Sequence, residues 1–336
     1  MVLIAVDPHK ASYTARAVDG RGGVLGGTRV TAKEREALLR WAEQWPQRRW
    51  AIEGARGLGQ PLAQWLVGRG EAVMDVPARL VRRVRELGGS DKSDAKDARA
   101  IAEAALRAEE LQRVEAEDES TVLRLLTDRR DDLAGERTRT ANRLHRLLRE
   151  LAPGGAPRRL SARRAAALLC EVQARSAADR ERLRQAEELL AELRRLDGQL
   201  RESLQRITVA VRARGTRLQG IPGVGPVVAA KLLGRTGRVE RFASEAHFAS
   251  YSGTAPLEAS SGEVVRHRLS RRGDRQLNAA LHIVAVTQLR MRASRGYVYY
   301  WRRRAEGKSA REALRCLKRQ LARVVYRCLQ ADAAMR

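Results

Sequence analysis

The chain has 336 residues, which is enough for two or three compact units. Its 66 Lys and Arg residues outnumber 40 Asp and Glu, and the resulting net charge of +26 predicts a polyanionic partner, because a folded chain of that charge repels itself. A hydrophobic content of 43% excludes a disordered basic tail. Three cysteines without metal-ligand spacing or an even number exclude a zinc finger and a disulfide-bonded secreted protein. Apolar stretches shorter than ~18 residues exclude a membrane span. We therefore expect a cytoplasmic protein that binds nucleic acid.

Residues 1–108 have the pattern of an α/β domain. Apolar runs predict strands, and longer amphipathic or Ala-rich runs predict helices. The predicted strands are 2–7, its antiparallel neighbour 13–18, 49–52 and 72–76; the predicted helices are 32–45, 58–68 and 96–106; a glycine-rich turn is predicted at 20–27. Strands that alternate with helices favour a layered α/β sheet.

Residues 109–213 are charged, poor in glycine and punctuated by leucine, which predicts a helical middle region. Leucines at helical spacing end at a Pro-Gly break, and a second series steps by three or four residues in a heptad-like seam. The first series is Leu144, Leu147, Leu148 and Leu151; the second is Leu189, Leu193, Leu196, Leu200, Leu204, Ile207 and Val211. Two long helices within one domain and a coiled-coil dimerisation arm both fit this pattern.

Residues 214–336 are predicted to be mostly helical and strongly basic. Within them, residues 263–336 hold 19 Lys and Arg against 5 Asp and Glu, a net charge of +14. More than half of the charge of the chain thus lies in its last 74 residues.

Four carboxylates form a candidate metal site. Asp7 and Glu53 each end a predicted strand, where an open α/β sheet binds ligands, and Asp94 and Asp97 are three residues apart on one helical face. Hard oxygen ligands suit Mg²⁺ or Mn²⁺, and such ions assist phosphodiester cleavage. Taken singly, Asp94 fits a helix N-cap, Asp97 a solvated residue and Glu53 an arginine partner. The four together favour the metal site.

Several motifs resemble one family. VLIAVDPHK, AIEGARG and GGSDKSDAKDARAIAEAAL in the N-terminal part, then IPGVGPVVAAKLL, GTAPLEASSGEVVRHRLSRRGDRQLNAALH and YYWRRRAEGKSAREALRCLKRQLARVVYRCL, are similar to the DEDD transposases of the insertion-sequence-one-ten family. The most specific pieces are KSDxxDA and the SSG-to-RRGDRxLN block. The resemblance implies an RNase H-like (RuvC-like) N-terminal domain similar to Holliday-junction resolvases, a helical coiled-coil middle and a mostly α C-terminal domain.

The resemblance also implies residue roles in the first domain. The family's acidic, Mg²⁺-binding tetrad falls on Asp7, Glu53, Asp94 and Asp97. Asp91 competes with Asp94, but the KSDxxDA frame selects Asp94 and Asp97. We expect domain boundaries at 1–108, 109–213 and 214–336.

A serine is the expected nucleophile of the C-terminal domain. Ser260-Ser261-Gly262 by itself is typical of a turn. In the family that the chain resembles, a serine here attacks DNA and forms a covalent phosphoserine link. The serine directly before glycine fits that pattern best, so Ser261 is the candidate and Ser260 the alternative.

Two further elements are candidates for contacts with nucleic acid. The segment 221–226, with Gly223 and Gly225, resembles the hairpin of a helix-hairpin-helix unit, whose backbone amides hold phosphate; an ordinary loop between helices is the alternative. The basic run supplies charge neutralisation, and Tyr299, Tyr300 and Trp301 fit either base stacking or a partly buried cluster. The basic candidates are Arg266, Arg268, Arg271, Arg272 and Arg275.

We therefore interpret the sequence as that of a transposase or site-specific recombinase that cuts and rejoins double-stranded DNA. The resemblance implies a noncoding bridge RNA that pairs with donor and target DNA, and a homo-oligomer from dimer to tetramer whose composite site joins two protomers. Alternatives are a metal-only nuclease acting by water attack, a DNA invertase without guide RNA, and an architectural DNA binder.

Overall fold

A computed structural model describes residues 1–88, 94–152, 154–157, 160–258, 267–268 and 273–335, without the side chains of 87–88, 94–96 and 267–268. The chain divides into two compact units, residues 1–117 and 118–336. Among the described residues, no helix is long and apolar enough to cross a membrane.

The first unit is built on a six-stranded mixed sheet in the order β3-β2-β1-β4-β5-β6. Its strands are β1 (Val2–Pro8), β2 (Ser12–Val18), β3 (Val24–Thr31), β4 (Arg48–Glu53), β5 (Val73–Val76) and β6 (Gln112–Arg113). The central strands β1, β4 and β5 are parallel, and β2, β3 and β6 are antiparallel to their neighbours. The predicted α/β class of this region is confirmed.

Helices cover both faces of this sheet. They are α1 (Arg35–Ala42, after a 3-10 turn at Ala32–Glu34), α2 (Gln60–Val67), α3 (Ala78–Gly88) and α4 (Asp94–Arg107). Alternate strand residues enter different cores: Ile4 packs with α1 and α2, whereas Ala5 packs with α3 and α4. Since side chains alternate across a strand, the apolar runs of β1 and β4 serve both faces.

Several details of the first unit differ from the sequence-based expectation: β6 lies in a region predicted to be helical, and α1 ends at Ala42 rather than at 45. Gly26 and Gly27 lie within strand β3 rather than in a turn. A Cβ on Gly26 would lie 3.4 Å from the Trp45 ring and 3.6 Å from the Trp41 ring, so glycine leaves room for these indoles. Helix α3 was not predicted.

The second unit is mostly helical, as predicted. Its helices are α5 (Glu119–Leu151), α6 (Ala162–Cys170), α7 (Ala177–Arg214), α8 (Pro226–Thr236), α9 (Glu245–Tyr251), α10 (Arg275–Arg290), α11 (Arg295–Ala305) and α12 (Ala310–Ala333), with 3-10 turns at Arg217–Gly220 and Val239–Arg241 and a small hairpin of β7 (Leu257–Glu258) and β8 (His267–Arg268). Cys170 is exposed at the end of α6.

Helices α5 and α7 pack against each other in antiparallel orientation. Three ion pairs show this orientation: Glu119–Arg214 at 2.9 Å, Arg137–Asp197 at 2.5 Å and Glu150–Arg182 at 2.9 Å. The two residue numbers of each pair add up to nearly the same value, as expected for antiparallel helices. Leucines of the predicted seam are buried at several positions, although Leu204 is 40% exposed. The coiled-coil arm between protomers stays a prediction.

The C-terminal helices share one core around α8. Leu232, Leu281 and Val325 from α8, α10 and α12 are almost completely buried there. Lys231 on α8 is also buried, and its Nζ lies 2.6 Å from a carboxylate oxygen of Asp131 on α5. This ion pair satisfies a charge that would otherwise be costly inside the unit.

Candidate active site

Two of the predicted acidic residues lie side by side at one edge of the sheet. Asp7 is near the end of β1, Glu53 ends β4, and the parallel register pairs the residues just before them, Val6 and Ile52. Asp7 is only 8% exposed, and its Oδ2 lies 3.4 Å from Nε2 of His9. The carboxyl ends of these parallel strands therefore bring both carboxylates to the same place.

Asp97 joins this edge through an arginine. The Nε of Arg85 on α3 lies 2.9 Å from Oδ1 of Asp97, and its Nη2 lies 3.3 Å from Oε2 of Glu53. Burial raises the pKa of the Glu53 carboxyl, the Arg85 guanidinium opposes that rise, and the charges of Asp7 and Asp97 add to it. Glu53 therefore interacts electrostatically with both Asp7 and Asp97. We call Asp7, Glu53 and Asp97 the carboxylate cluster.

The turn after Glu53 is shaped by a glycine and a second aspartate. Gly54 has φ of +57°, a left-handed conformation that glycine adopts without a steric penalty. The next amide, of Ala55, donates to Oδ1 of Asp75 at 2.9 Å. A Cβ on Gly59 would lie 2.7 Å from Ile52 and 3.2 Å from Pro8, so glycine lets α2 begin close to both strand ends.

The donor set of the cluster suits a hard divalent cation, since it consists of carboxylate oxygens. Among the residues that the structure describes, no three His, Cys, Asp or Glu side chains are arranged to hold a metal ion. Arg85 contacts both Glu53 and Asp97. The side chain of Asp94, the first residue of α4, and the whole of Asp91 lie outside the described residues.

Most of the predicted serine segment also lies outside the described residues, including Ser260 and Ser261. The same holds for Arg266, Arg271 and Arg272 and for the side chain of Arg268. The chain on either side is described. Leu257 pairs with Arg268 and Glu258 with His267 in the β7–β8 hairpin.

A buried polar network ties the two ends of this segment together. Asn278 on α10 donates from Nδ2 to the carbonyls of Ser252 and Gly253 at 2.9 and 3.0 Å. The Nζ of Lys318 on α12 donates to Oδ1 of Asn278 at 2.5 Å. Lys318 is 7% exposed, and burial lowers the pKa of its ammonium group. Directly before α10, Gly273 packs against the backbone of Gly253.

The two glycines of segment 221–226 have different environments. Gly223 has φ of +88°, and a Cβ there would lie 3.2 Å from Thr287 of α10. The Nε2 of Gln288 donates to the Pro222 carbonyl at 2.7 Å, which holds the loop on α10. Gly225, in contrast, has open space around its Cα, directly before the first residue of α8. The helix-hairpin-helix assignment stays a prediction.

The basic and aromatic candidates that the structure describes lie at the surface. Arg275 is exposed at the first position of α10. On α11, Trp301 is 51% exposed, while the Tyr299 ring lies 5.2 Å below the guanidinium groups of both Arg302 and Arg303. The aromatics of α11 are therefore divided between a half-exposed ring and rings packed closer to the core.

Sequence reasoning missed four residues around these sites: Arg85, Asp75, Asn278 and Lys318. Asn278 lies within the RRGDRQLN block that carries the resemblance, so the motif contained a signal for it. From the sequence alone, Arg85 and Lys318 resemble residues of solvated basic faces. Their partners, the carboxylates near Arg85 and the Asn278 amide near Lys318, are distant in sequence.

Comparisons with known proteins identify the family. A model of the DEDD type of IS110 transposase matches residues 4–153, and a model of the IS116/IS110/IS902 transposase family matches residues 215–300. Among solved structures, the chain is similar to RuvC of T. thermophilus in complex with a Holliday junction substrate, with a TM-score of 0.28 and 19% identity over 34% of this chain and 99% of that one.

Proteins of insertion elements are similar over most of their length. An uncharacterized 44.8 kDa protein of insertion element IS116 from Streptomyces clavuligerus is 27% identical over 98% of this chain and 94% of its own. An uncharacterized 43.6 kDa protein of IS110 from Streptomyces coelicolor is 33% identical over 76% of this chain and 75% of its own. An uncharacterized 42 kDa protein of IS900 from Mycobacterium paratuberculosis is 28% identical over 84% of this chain and 83% of its own. The chain therefore belongs to the IS110 family of transposases, enzymes that cut and rejoin DNA.

Proposed function

We propose that this transposase cuts and rejoins double-stranded DNA with the carboxylates of its first unit and Ser261 of its second. The observation that carries the proposal is the carboxylate cluster. Asp7 and Glu53 end neighbouring parallel strands, and Asp97 reaches the same edge through Arg85. Three carboxylates at one sheet edge repel each other, and a bound cation would reduce that repulsion; this arrangement is notable in a chain of net charge +26.

Asp7, Glu53, Asp94 and Asp97 would hold Mg²⁺ or Mn²⁺. A bound divalent cation supplies positive charge against the scissile phosphate and favours deprotonation of an attacking hydroxyl. The raised pKa of Glu53 supports this assignment, because part of the rise comes from the charges of Asp7 and Asp97. The protein's own part is to hold the carboxylates of Asp7 and Glu53 at two strand ends, with Asp94 and Asp97 on α4 and Asp75 securing the turn that follows Glu53.

Ser261 would be the nucleophile. Its Oγ forms a bond to phosphorus while the bond from phosphorus to one DNA oxygen breaks, and the serine proton is transferred to that leaving oxygen. Rejoining reverses the step: a DNA hydroxyl attacks the phosphoserine and returns the proton to Oγ. The phosphodiester energy is kept in the protein–DNA ester. The network of Asn278 and Lys318 supports this role, because it secures the backbone from which the serine segment begins.

The partners that we propose are donor and target DNA and a noncoding bridge RNA, bound by a dimer or tetramer. Support comes from charge: residues 263–336 carry a net +14, and Arg275 and Arg302 are exposed. Gly225 offers an open backbone at the start of α8 for a phosphate.

Metal-dependent cleavage tests the role of the cluster. Asp7→Asn and Asp97→Asn each remove one charge with little change in volume, so we expect loss of strand cleavage in Mg²⁺ with retention of DNA binding. Asp91→Asn is the matched control and should cleave like the wild type. Full activity of Asp7→Asn would remove the cluster from the mechanism, and equal loss in Asp91→Asn would show that the assignment of Asp94 is shifted.

A further inference from the structure

Arg85 holds two of the three residues of the carboxylate cluster at once. Its guanidinium contacts Asp97 through Nε at 2.9 Å and Glu53 through Nη2 at 3.3 Å. The side chain of Arg85 is 40% exposed, whereas those of Glu53 and Asp97 are 17% and 25% exposed. The arginine therefore lies over the cluster from its solvent side, with part of its surface still free to reach another group.

The guanidinium lies where a cation shared by these carboxylates would lie. Arginine stays protonated at any relevant pH, so the neutralisation that it provides can end only if the side chain moves away. Two positive groups cannot share so small a space without repulsion. A divalent ion that binds Glu53 and Asp97 would therefore compete with Arg85 for these two carboxylates.

A DNA phosphate is a favourable new partner for a displaced Arg85. Arginine binds phosphate through two parallel N–H donors, and the exposed rim of the cluster is where a DNA phosphate would approach. Among the described side chains of α3, the exposed Glu86 is already paired with Arg82, at 2.8 Å between Nε and Oε1.

We propose that Arg85 is a further active-site residue that exchanges partners. In the metal-free protein its guanidinium binds Glu53 and Asp97; when a divalent ion takes these carboxylates, the guanidinium moves to the scissile phosphate. The inference rests on the proposed function, in which the carboxylates hold metal. In this proposal Arg85 is both a donor to the scissile phosphate and a competitor of the metal ion for Glu53 and Asp97.

Calorimetric titration with Mn²⁺ alone tests the competition. Arg85→Gln removes a cation that the metal must displace, so we expect Mn²⁺ to bind about three to ten times more tightly than to the wild type, as follows from two partly exposed ion pairs. Arg82→Gln, on the same helix and with the same change of charge, should stay within about twofold. Unchanged or weaker Mn²⁺ binding by Arg85→Gln would overturn the proposal.

Cleavage of labelled DNA at saturating Mn²⁺ tests the second half. Loss of a phosphate donor should slow Arg85→Gln at least about tenfold although its metal site is full, and Arg85→Lys should recover part of the rate. A wild-type rate in Arg85→Gln would overturn the proposal. The titration of Asp97→Asn separates the two proposals: if Mn²⁺ binds to this variant as tightly as to the wild type, the metal site itself is wrong, whatever Arg85 does.

Discussion

Replacing Gly273 by alanine tests how the serine segment is anchored. A Cβ at this position would lie 2.3 Å from the backbone nitrogen of Gly253, 2.5 Å from its Cα and 2.8 Å from the carbonyl oxygen of Tyr251. All three atoms belong to backbone. The Tyr251 carbonyl also accepts a hydrogen bond from the Asp274 amide at 2.7 Å, so it has little freedom to move.

The cost of this methyl group can be estimated. Overpacking a tight site costs about 1–3 kcal/mol, and contacts with backbone favour the upper end of that range, because no rotamer change relieves them. We expect Gly273→Ala to lower the free energy of unfolding of the second unit by about 3 kcal/mol. For a unit of this size each 1 kcal/mol lowers the melting temperature by about 2–4 °C, so the expected decrease is about 6–12 °C.

Gly220→Ala is the matched control, since a Cβ there meets nothing within 4 Å. Its stability should stay within about 0.5 kcal/mol of the wild type. Urea denaturation followed by circular dichroism measures both variants, and DNA cleavage under native conditions should fall only in Gly273→Ala. Equal stability of the two variants would refute the close packing of Gly273 on Gly253.

Three further predictions concern charge. The pKa of Glu53 in the folded protein is raised above its ordinary value of 4.5, so its contribution to stability is complete below that value and is lost as pH rises through the folded pKa. Glu53→Gln, measured in chelator, should therefore flatten the pH dependence of the first unit's free energy of unfolding. An unchanged pH profile would contradict the raised pKa. Asp131→Ala removes the carboxylate partner of the buried Lys231 ammonium and should lower the free energy of unfolding, measured in urea, by about 2–3 kcal/mol after allowance for the partial exposure of the aspartate, whereas Lys231→Met should cost less. Combined Arg275→Gln and Arg302→Gln changes should reduce the log–log salt slope of duplex binding by up to about 1.8 if both contact phosphate, and an unchanged slope would remove both from the interface.

The site could be predicted from the sequence where local pattern determines position. VLIAVD and the run ending at Glu53 are short apolar segments of buried strands, and parallel strands end at one edge, so the proximity of Asp7 and Glu53 follows from their positions in those runs. The helical spacing that places Asp97 on α4 is equally local. The leucine series likewise predicts the apolar faces of α5 and α7, whereas their antiparallel orientation comes from the structure.

The rest depends on contacts between distant segments. Arg85 resembles any exposed helical arginine until the fold brings Glu53, 32 residues earlier, next to it. Lys318 lies in a helix crowded with arginine, and its partner Asn278 is 40 residues away in the chain. Gly26 pairs with Ala17 of β2, and a side chain there would meet the rings of Trp41 and Trp45.

The most direct test of the account is the covalent intermediate. Labelled donor DNA is incubated with protein, Mg²⁺ and the RNA that copurifies with it, and the products are separated on a denaturing gel. We expect a protein-linked DNA band in the wild type and in Ser260→Ala, with the phosphate mapped to Ser261 by mass spectrometry, and no such band in a folded Ser261→Ala. Cleaved DNA without any protein-linked band, or a band that persists in Ser261→Ala, would contradict it.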